Sequence, residues 1–360
     1  MEVINNSFWK DKRVFITGHT GFKGGWLTLW LHQMGAKITG YSLPAPTNPS
    51  FFEAVKVSDL CNHKIGDIRD YQAMKNALEE SQAEIIFHMA AQPLVRKSYG
   101  DPIETYSTNV MGTVNLLEAV RFCETVRACV IITTDKCYEN KEWVWGYREN
   151  DRLGGHDPYS NSKACSELVV SAYIKSFFKV ESKVGIASAR AGNVIGGGDF
   201  AEDRLIPDIY RAILNNTELK IRYPESTRPW QHVLVPLSGY IDLAEKLYLD
   251  KNKYSDSFNF GPKDEDCISV GNLILKASQY WGYKLPIVLE KGNHLHEAKF
   301  LKLDISKAIS SLNWKPEWNV DESIEKTAKW YKSFINKEDI RSLSVGQIGE
   351  FQSKACQHNF

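Results

Sequence analysis

The chain has 360 residues, of which 43% are hydrophobic and 24% charged, an ordinary composition for a globular protein. Its 44 lysines and arginines balance 44 aspartates and glutamates, so no global field draws it to nucleic acid or to a membrane surface. The seven scattered cysteines suit reduced thiols better than a disulfide framework or a zinc site. The N-terminus lacks an apolar signal core, and no apolar run reaches bilayer length. We therefore expect a cytoplasmic protein with no nucleic-acid, membrane or metal partner.

A glycine-rich segment follows a short apolar stretch, 13–17, and precedes a helical run, 25–34. In that context GxxGxxG predicts a dinucleotide site, because glycines let the backbone approach a pyrophosphate that binds the amides of a helix N-terminus. The alternative is a turn between strand and helix that binds no ligand. The residues of this predicted cofactor loop are Gly18, His19, Thr20, Gly21, Phe22, Lys23 and Gly24.

The next predicted strand, 37–41, ends at Ser42, where a dinucleotide fold often has an acidic residue for the ribose. No lysine or arginine lies between Tyr41 and Glu53 to meet a 2′-phosphate, which favours NAD over NADP. Asp67 is expected either to accept the adenine amino group or to cap the helix that follows. The further expected cofactor contacts are Ile68, Ala90, Ala91, Gln92, Asn109, Thr133 and Arg190, with a brace between neighbouring strand ends as the alternative role for Asn109.

The apolar run 130–132 ends in the polar residues Thr133, Thr134, Asp135 and Lys136. It predicts a buried parallel strand, and the carboxyl ends of such strands are where open α/β sheets bind ligands. If the strand stops and the chain turns at Thr134, Asp135 and Lys136 can face one crevice and supply an acid and a base. The alternative is an exposed ion pair at the point where the strand leaves the core.

Tyr159 and Lys163 are four residues apart, so they share one face of a helix predicted to begin near Pro158. A tyrosine hydroxyl, with an ordinary pKa of about 10, becomes a usable base when a cation lies beside it. An ordinary surface hydrogen bond is the alternative. YxxxK alone is a weak signal, but together with the glycine-rich loop it is a strong one.

The repeated alternation of strands and helices predicts an α/β fold, a Rossmann-type doubly wound parallel sheet with a smaller mixed α/β C-terminal lobe. We expect an NAD-binding domain at 1–190, with a return near 233–260. A substrate lobe is expected at 191–232 and 261–334. The polar segment 335–360 is expected to be a tail that frays or contacts a partner subunit. His294 and His296 have no third ligand nearby, so we interpret them as surface or lobe residues.

These motifs resemble the extended short-chain dehydrogenase/reductases over nearly the whole chain, to about Phe334. Within that superfamily the chain is similar to the nucleotide-sugar 4,6-dehydratases, in which a Thr-Asp-Glu triplet precedes YxxxK. Here the triplet is Thr134-Asp135-Lys136, and with the segment 228–233 it most resembles members that act on CDP-glucose. The residues that carry the resemblance are 17–24, Asp67, 88–91, 159–163 and 190–194.

The resemblance implies an NAD-dependent hydro-lyase that converts CDP-D-glucose to CDP-4-dehydro-6-deoxy-D-glucose for deoxysugar and O-antigen biosynthesis, and a homodimer or homotetramer. It assigns Tyr159 as the base at O4, with Lys163 lowering the pKa of that tyrosine and holding the nicotinamide ribose. Thr134 would hydrogen-bond O4, Asp135 would be the acid at O6 with a raised pKa, and Lys136 the base at C5. The expected substrate contacts are Gln92, Asn193, Arg204, Arg228 and His232.

Arg228 suits a diphosphate through its fork of donors, although an ion pair with a lobe carboxylate is the alternative. The competing functions are a nucleotide-sugar 4-epimerase or oxidoreductase, a dehydratase acting on dTDP- or GDP-hexose, and a non-catalytic NAD-sensing protein. Epimerases and plain oxidoreductases need no acid–base pair after Thr134. Asp135 and Lys136 are therefore the discriminating feature.

Overall fold

The computed structural model describes residues 6–178, 181–290 and 298–357, so His294 and His296 lie outside the described residues. The strands are β1 (Arg13–Thr17), β2 (Lys37–Ser42), β3 (Asn62–Ile65), β4 (Ile85–His88), β5 (Ala128–Ile132), β6 (Gly185–Ala191), β7 (Val194–Ile195), β8 (Leu219–Ile221), β9 (Thr227–Pro229), β10 (Gln231–His232), β11 (Ser257–Phe260), β12 (Cys267–Ser269) and β13 (Ile287–Leu289).

The helices are α1 (Asn6–Trp9), α2 (Phe22–Gln33), α3 (Phe51–Val55), α4 (Tyr71–Ser81), α5 (Val95–Gly100), α6 (Pro102–Tyr106), α7 (Gly112–Arg121), α8 (Pro158–Phe177), α9 (Leu205–Asn215), α10 (Leu234–Leu249), α11 (Lys251–Tyr254), α12 (Val270–Trp281), α13 (Val320–Ile335) and α14 (Ile340–Gln357). Short helical turns of other types occur at Val57–Leu60, Ser107–Met111, Asp135–Cys137, Asp264–Asp266 and Ala308–Leu312.

The central sheet has seven parallel strands in the order β11-β6-β5-β4-β1-β2-β3, which confirms the predicted doubly wound α/β fold. Successive side chains of a strand point to opposite faces, and both faces are buried. In β5, Val130 packs with residues of α2 and α10, whereas Cys129 packs with residues of α4, α7 and α8. Helices thus cover both faces and leave the carboxyl ends of the strands as the open edge.

Three two-stranded sheets lie outside the central one. Strands β7 and β10 pair in parallel, as do β8 and β13, whereas β9 pairs with β12 in the antiparallel sense. Because β7 follows β6 directly, the chain leaves the central sheet beside its carboxyl edge. Among the described residues, no helix is long and apolar enough to cross a membrane.

The segment 340–357 forms the packed helix α14, so the expectation of a frayed tail is wrong there. Its Phe351 ring is buried and meets Trp30 of α2 edge-on at 5.6 Å between ring centroids, and Trp318 at 5.2 Å. Arg341 adds hydrogen bonds to the carbonyl oxygens of Val55 and Lys56, at 2.7 and 2.6 Å. A few apolar side chains in a polar sequence therefore suffice to hold this helix against the core.

Candidate active site

The chain turns sharply after β5, as the sequence predicts. The strand ends at Ile132, and a short 3₁₀ turn occupies Asp135–Cys137. The Thr134 hydroxyl donates to Oδ1 of Asp135 at 2.9 Å and accepts the backbone N–H of Lys136 at 3.4 Å. These bonds fix the acid and the lysine on one turn at the carboxyl edge of the sheet, where open α/β sheets bind ligands.

Asp135 is a buried carboxyl group, and within the described part of the chain its Oδ2 atom has no hydrogen-bond partner. Burial raises the pKa of Asp135, while Lys136, the Thr134 hydroxyl and Arg228 lower it. A raised pKa is what an acid at this position requires, and the role of Asp135 as that acid stays a prediction. A Cβ atom at Gly192 would lie 3.2 Å from that same Oδ2 atom, so the backbone there passes close to the acid.

Lys136 is only partly buried. Its ammonium group forms no hydrogen bond or ion pair with any residue that the structure describes. It is close enough to Asp135 for its charge to act on the pKa of that carboxyl group. The structure therefore places the lysine next to the acid with its amine available to a bound molecule.

Tyr159 and Lys163 lie on the first turns of α8, which begins at Pro158 and is capped by Asp157 through the N–H of Ser160 at 2.9 Å. The backbone N–H of Tyr159 donates to Oγ of Ser98 at 3.1 Å. The Lys163 ammonium donates to the carbonyl oxygen of Ile132, the last residue of β5, at 3.4 Å. Helix and strand end are thus joined at the catalytic pair.

Burial raises the pKa of Tyr159 to about 12, although Arg204 and the Thr134 hydroxyl act in the opposite direction. Burial outweighs these opposing groups, and the expected lowering of this pKa by Lys163 stays a prediction. Burial also lowers the pKa of Lys163 to about 8, and Glu167 opposes that shift. The tyrosine hydroxyl therefore holds its proton near neutral pH, and a nearby positive charge would favour the phenolate.

The glycine-rich loop fits a dinucleotide pyrophosphate. Helix α2 has Gly21 as its N-cap, and in the described structure no side chain caps it, so the first amide groups are left for an anion. Gly18 has a φ of +80°, and a Cβ atom there would lie 2.7 Å from the backbone nitrogen of Ala90. Only glycine permits this approach to the end of β4. Ala90 and Ala91, both partly exposed, line that edge.

Beside this loop, the Thr20 hydroxyl lies 2.7 Å from Oγ of Ser42 and donates to the carbonyl of Leu43 at 2.9 Å. Nε2 of His19 lies 2.6 Å from Nδ1 of His63. Both pairs lie near the ends of β2 and β3, where a dinucleotide fold holds the adenosine half of its ligand. Phe22 and Lys23 continue the loop into the first turn of α2.

Asp67 forms an ion pair with Arg69 at 2.6 Å, and the adjacent Ile68 is buried. The alternative in which Asp67 caps α4 is wrong, because the side chain of Asp70 accepts the N–H of Ala73 at 3.0 Å. Both carboxylate oxygens of Asp67 instead accept hydrogen bonds from Arg69, which are the main cause that lowers the pKa of Asp67.

Two predicted ligand contacts are instead internal braces. The Asn109 amide donates to Gln92 O at 3.1 Å and to Ser162 Oγ at 2.9 Å, and its oxygen accepts Gln92 N–H at 2.9 Å. The Gln92 amide donates to Thr105 Oγ1 at 2.9 Å and accepts Leu94 N–H at 2.7 Å. Their polar atoms are already bonded within the protein, so the assignment of these side chains to cofactor or substrate is corrected.

Thr133 and Arg190 also turn away from the cleft. The Thr133 hydroxyl donates to the carboxylate of Glu167, and the Arg190 guanidinium forms a buried ion pair with the same carboxylate at 2.6 Å. Arg190 further donates to the Tyr138 hydroxyl at 2.7 Å. These two residues belong to a buried network under the site rather than to the cofactor contacts expected for them. Glu167, which organises it, lies four residues after Lys163, a spacing that could have identified it.

His232 is enclosed in the core. Its ring lies 6.0 Å from Trp26 and 4.9 Å from Trp318, both edge-on, and its Nδ1 accepts the N–H of Leu234 at 3.3 Å. The imidazole is fully buried by aromatic rings, and burial lowers its pKa to about 3. The expectation that His232 contacts the substrate is therefore wrong.

The remaining predicted substrate residues do surround the catalytic turn. Arg204 pairs with Asp199 at 3.0 Å and acts electrostatically on Tyr159. The Arg228 charge acts on Asp135, and its Nη1 donates to the Thr227 carbonyl at 2.9 Å. Asn193, partly exposed, follows the strand end that approaches Asp135. In the described residues, no group of three or more histidine, cysteine, aspartate or glutamate side chains could hold a metal ion.

This geometry agrees with the comparisons to known proteins. Residues 15–260 match the family described as GDP-mannose 4,6 dehydratase, and the chain belongs to that family. It is 55% identical over 355 residues to the CDP-glucose 4,6-dehydratase of Salmonella typhimurium, covering 98% of this chain and 99% of the relative. A probable dTDP-glucose 4,6-dehydratase of Sinorhizobium fredii is 26% identical over 342 residues, covering 89% and 92%.

Solved structures share the fold. An epimerase from Methanothermobacter thermautotrophicus superposes with a TM-score of 0.80 at 20% identity, covering 95% of this chain and 98% of that one. The dTDP-glucose 4,6-dehydratase of Bacillus anthracis, solved in complex with NAD, gives a TM-score of 0.75 at 20% identity, covering 91% and 98%. The predicted membership of the nucleotide-sugar 4,6-dehydratases is confirmed.

Proposed function

We propose that this protein dehydrates CDP-D-glucose to CDP-4-dehydro-6-deoxy-D-glucose and water, with NAD as its bound cofactor. The 55% identity to the Salmonella CDP-glucose 4,6-dehydratase over nearly the full length of both chains supports the substrate. The buried carboxyl group of Asp135 supports dehydration as the type of reaction, because its Oδ2 atom has no hydrogen-bond partner among the described residues and burial raises its pKa. An epimerase or a simple oxidoreductase needs no such acid.

NAD, when bound, accepts the hydrogen and electron pair from C4 of the sugar and later returns them to C6. Its pyrophosphate would be held by the uncapped amides of α2 and the glycine loop, and its ribose by Lys163. Ser42, Thr20 and Asp67 lie at the adenosine end. Because the electron pair is returned, the cofactor is not consumed.

Tyr159 takes the O4 proton while the C4 hydrogen leaves, and we assign to the Thr134 hydroxyl a hydrogen bond to O4. Burial raises the pKa of Tyr159 to about 12, so the positive charges of Lys163 and of the oxidised nicotinamide would be needed to favour the phenolate. The ketone at C4 then makes the C5 proton acidic enough for a side chain to remove.

Lys136 removes the C5 proton, and Asp135 protonates the C6 hydroxyl, which leaves as water. Both groups stand on the same turn, which suits an elimination across two adjacent carbons. Return of the hydrogen to C6 and of a proton to C5 completes the product. Arg204, Arg228 and Asn193 bind the diphosphate and sugar, where the two guanidinium groups match phosphate oxygens.

The experiment is incubation with CDP-, dTDP- and GDP-hexoses, followed by the absorbance of the 4-keto-6-deoxy product in base. We expect product from CDP-glucose with no net gain of reduced cofactor. Steady accumulation of reduced cofactor in the wild type would instead indicate a plain oxidoreductase. Conversion to an epimer without a ketone would indicate a 4-epimerase.

We also propose a homodimer or larger homo-oligomer and a cytoplasmic location. Large apolar side chains are exposed on the neighbouring α6, the turn after it and α8, namely Ile103, Met111, Leu168 and Phe177. Such a patch supports self-association. All seven cysteines are free thiols, which suits a reducing compartment. Sedimentation of Leu168→Lys beside the wild type tests the assembly, and an unchanged mass would contradict this face as the interface.

A further inference from the structure

The backbone of Lys23 belongs to the cofactor loop, whereas its ammonium group lies over the ring of Tyr240 on α10. Its amide belongs to the uncapped first turn of α2, which we assign to the pyrophosphate. Its side chain extends over the ring of Tyr240 on α10, with Nζ 5.9 Å from the ring centroid. No residue in the described ranges forms an ion pair or hydrogen bond with that Nζ atom.

Charged groups from several separate elements act on this ammonium group. Asp135 lies on the turn after β5, Lys163 on α8, and the Arg204–Asp199 pair before α9. From α10, the Tyr240 hydroxyl is fully buried and lacks a partner among the described residues. Burial, then Arg204 and Lys163, lower the pKa of Lys23 to about 8. Asp135 and Asp199 raise this pKa in turn, so near neutral pH Lys23 is a cation that forms no direct ion pair with a described residue.

The chemistry of the proposed function places the nicotinamide in the same cavity. Tyr159 must reach O4, and the acceptor of the C4 hydrogen must touch C4, one bond away. The nicotinamide ring carries a positive charge only when it is oxidised. A fixed cation in a poorly solvated cavity repels the oxidised ring and leaves the reduced ring unaffected.

We propose that Lys23 biases the bound cofactor towards its reduced form and so favours oxidation of the sugar at C4. The role is electrostatic, and Lys23 is a tuning residue that transfers no proton. This inference rests on the proposed function for the position of the nicotinamide. It explains why a lysine, rather than an apolar residue, points from the cofactor loop into the reaction cavity.

The test is the ratio of the NAD+ and NADH dissociation constants, measured by equilibrium competition on the full chain without sugar. Lys23→Met should shift this ratio towards NAD+ by about tenfold, because the loss of one unit charge near the ring changes a binding constant on that order. Lys23→Arg should keep the wild-type ratio. Tyr240→Phe is the matched control, since it retains the ring and the lysine and should leave the ratio unchanged.

The wild-type protein offers a second measurement that needs no variant. Its preference for NADH should decline as the pH rises through about 8, where both Lys23 and Lys163 lose a proton, and the decline should be smaller in Lys23→Met, in which only Lys163 remains to titrate. A pH-independent ratio in the wild type, or an unchanged ratio in Lys23→Met, overturns the proposal. If Lys23→Met weakens the binding of NAD+ and of NADH equally, the proposal is also overturned, because Lys23 would then bind the pyrophosphate that both forms share. Failure to convert CDP-glucose would refute the proposed function separately.

Discussion

The Thr134 hydroxyl donates to Oδ1 of Asp135 at 2.9 Å, which leaves Oδ2 as the oxygen that can carry the acidic proton. Oδ2 is buried, unpartnered among the described residues, and faces the backbone of Gly192. The Thr134 hydroxyl therefore fixes the orientation of the Asp135 carboxyl group and leaves Oδ2 free of hydrogen bonds to the described residues. The same hydroxyl also lowers the pKa of Tyr159, so Thr134 acts on both the oxidising and the eliminating halves of the site.

Asp135→Asn should separate those halves. Asparagine keeps the shape of the side chain but cannot donate a carboxyl proton, so we expect dehydration to fall by about 10²- to 10⁴-fold. Oxidation at C4 should continue, and reduced cofactor should accumulate when CDP-glucose is added. Its absorbance, followed beside product formation, checks this. Product formation at the wild-type rate would contradict the role of Asp135.

Tyr159→Phe should abolish both the oxidation at C4 and the dehydration. Phenylalanine fills the same buried position but has no hydroxyl to take the O4 proton. We expect neither reduced cofactor nor product, with a loss of about 10²-fold or more. The thermal midpoint should change little, because the N–H···Ser98 bond of this residue is made by the backbone. Reduced cofactor appearing at the normal rate would show that another group is the base.

Lys136→Ala should lower product formation and let reduced cofactor accumulate, because the C5 proton would stay in place. In deuterated water the wild type should incorporate deuterium at C5, and the variant should lose this exchange. Lys141→Ala is the matched control, since Lys141 is a nearby lysine on an exposed ion pair with Glu139 at 2.7 Å. An unchanged rate of 4-keto-6-deoxy sugar formation in Lys136→Ala would falsify the assignment of the base.

Three buried histidines should make the fold sensitive to acid. Burial lowers the pKa of His19, His88 and His232 from 6.5 to about 3. Between those values the unfolded chain binds protons that the folded chain does not, so the free energy of unfolding falls as the pH falls. Urea unfolding at a series of pH values measures this slope.

His232→Leu tests one of these histidines and its corrected role. Between the folded and unfolded pKa values of this histidine, the slope of the unfolding free energy against pH should decrease by the contribution of about one bound proton. The KM for CDP-glucose should not change, because the ring packs between Trp26 and Trp318 in the core. A large rise in KM would restore His232 to the substrate site.

The sequence was sufficient where function follows from local spacing. Tyr159 and Lys163 share a helix face whatever surrounds them, and Asp135 follows an apolar strand that must end at the ligand-binding edge. The role of Arg190 could not be assigned from the sequence, and two roles stayed open for Asn109, because the partners of both side chains are distant in the chain. Glu167 holds Arg190, and Ser162 holds Asn109, so only the tertiary structure shows that their polar atoms are already bonded.

One residue of α2 gives the molecule an internal optical reporter. Trp26, three residues after Lys23, is fully buried, stacks on Phe51 at 4.7 Å and donates to the carbonyl of Gly197 at 2.9 Å. Indole emission overlaps the absorption band of reduced nicotinamide and not that of the oxidised form. A fluorophore held rigidly beside the cofactor loop should therefore be quenched by energy transfer whenever the bound cofactor is reduced. The redox state of the site can then be followed during turnover without an added label.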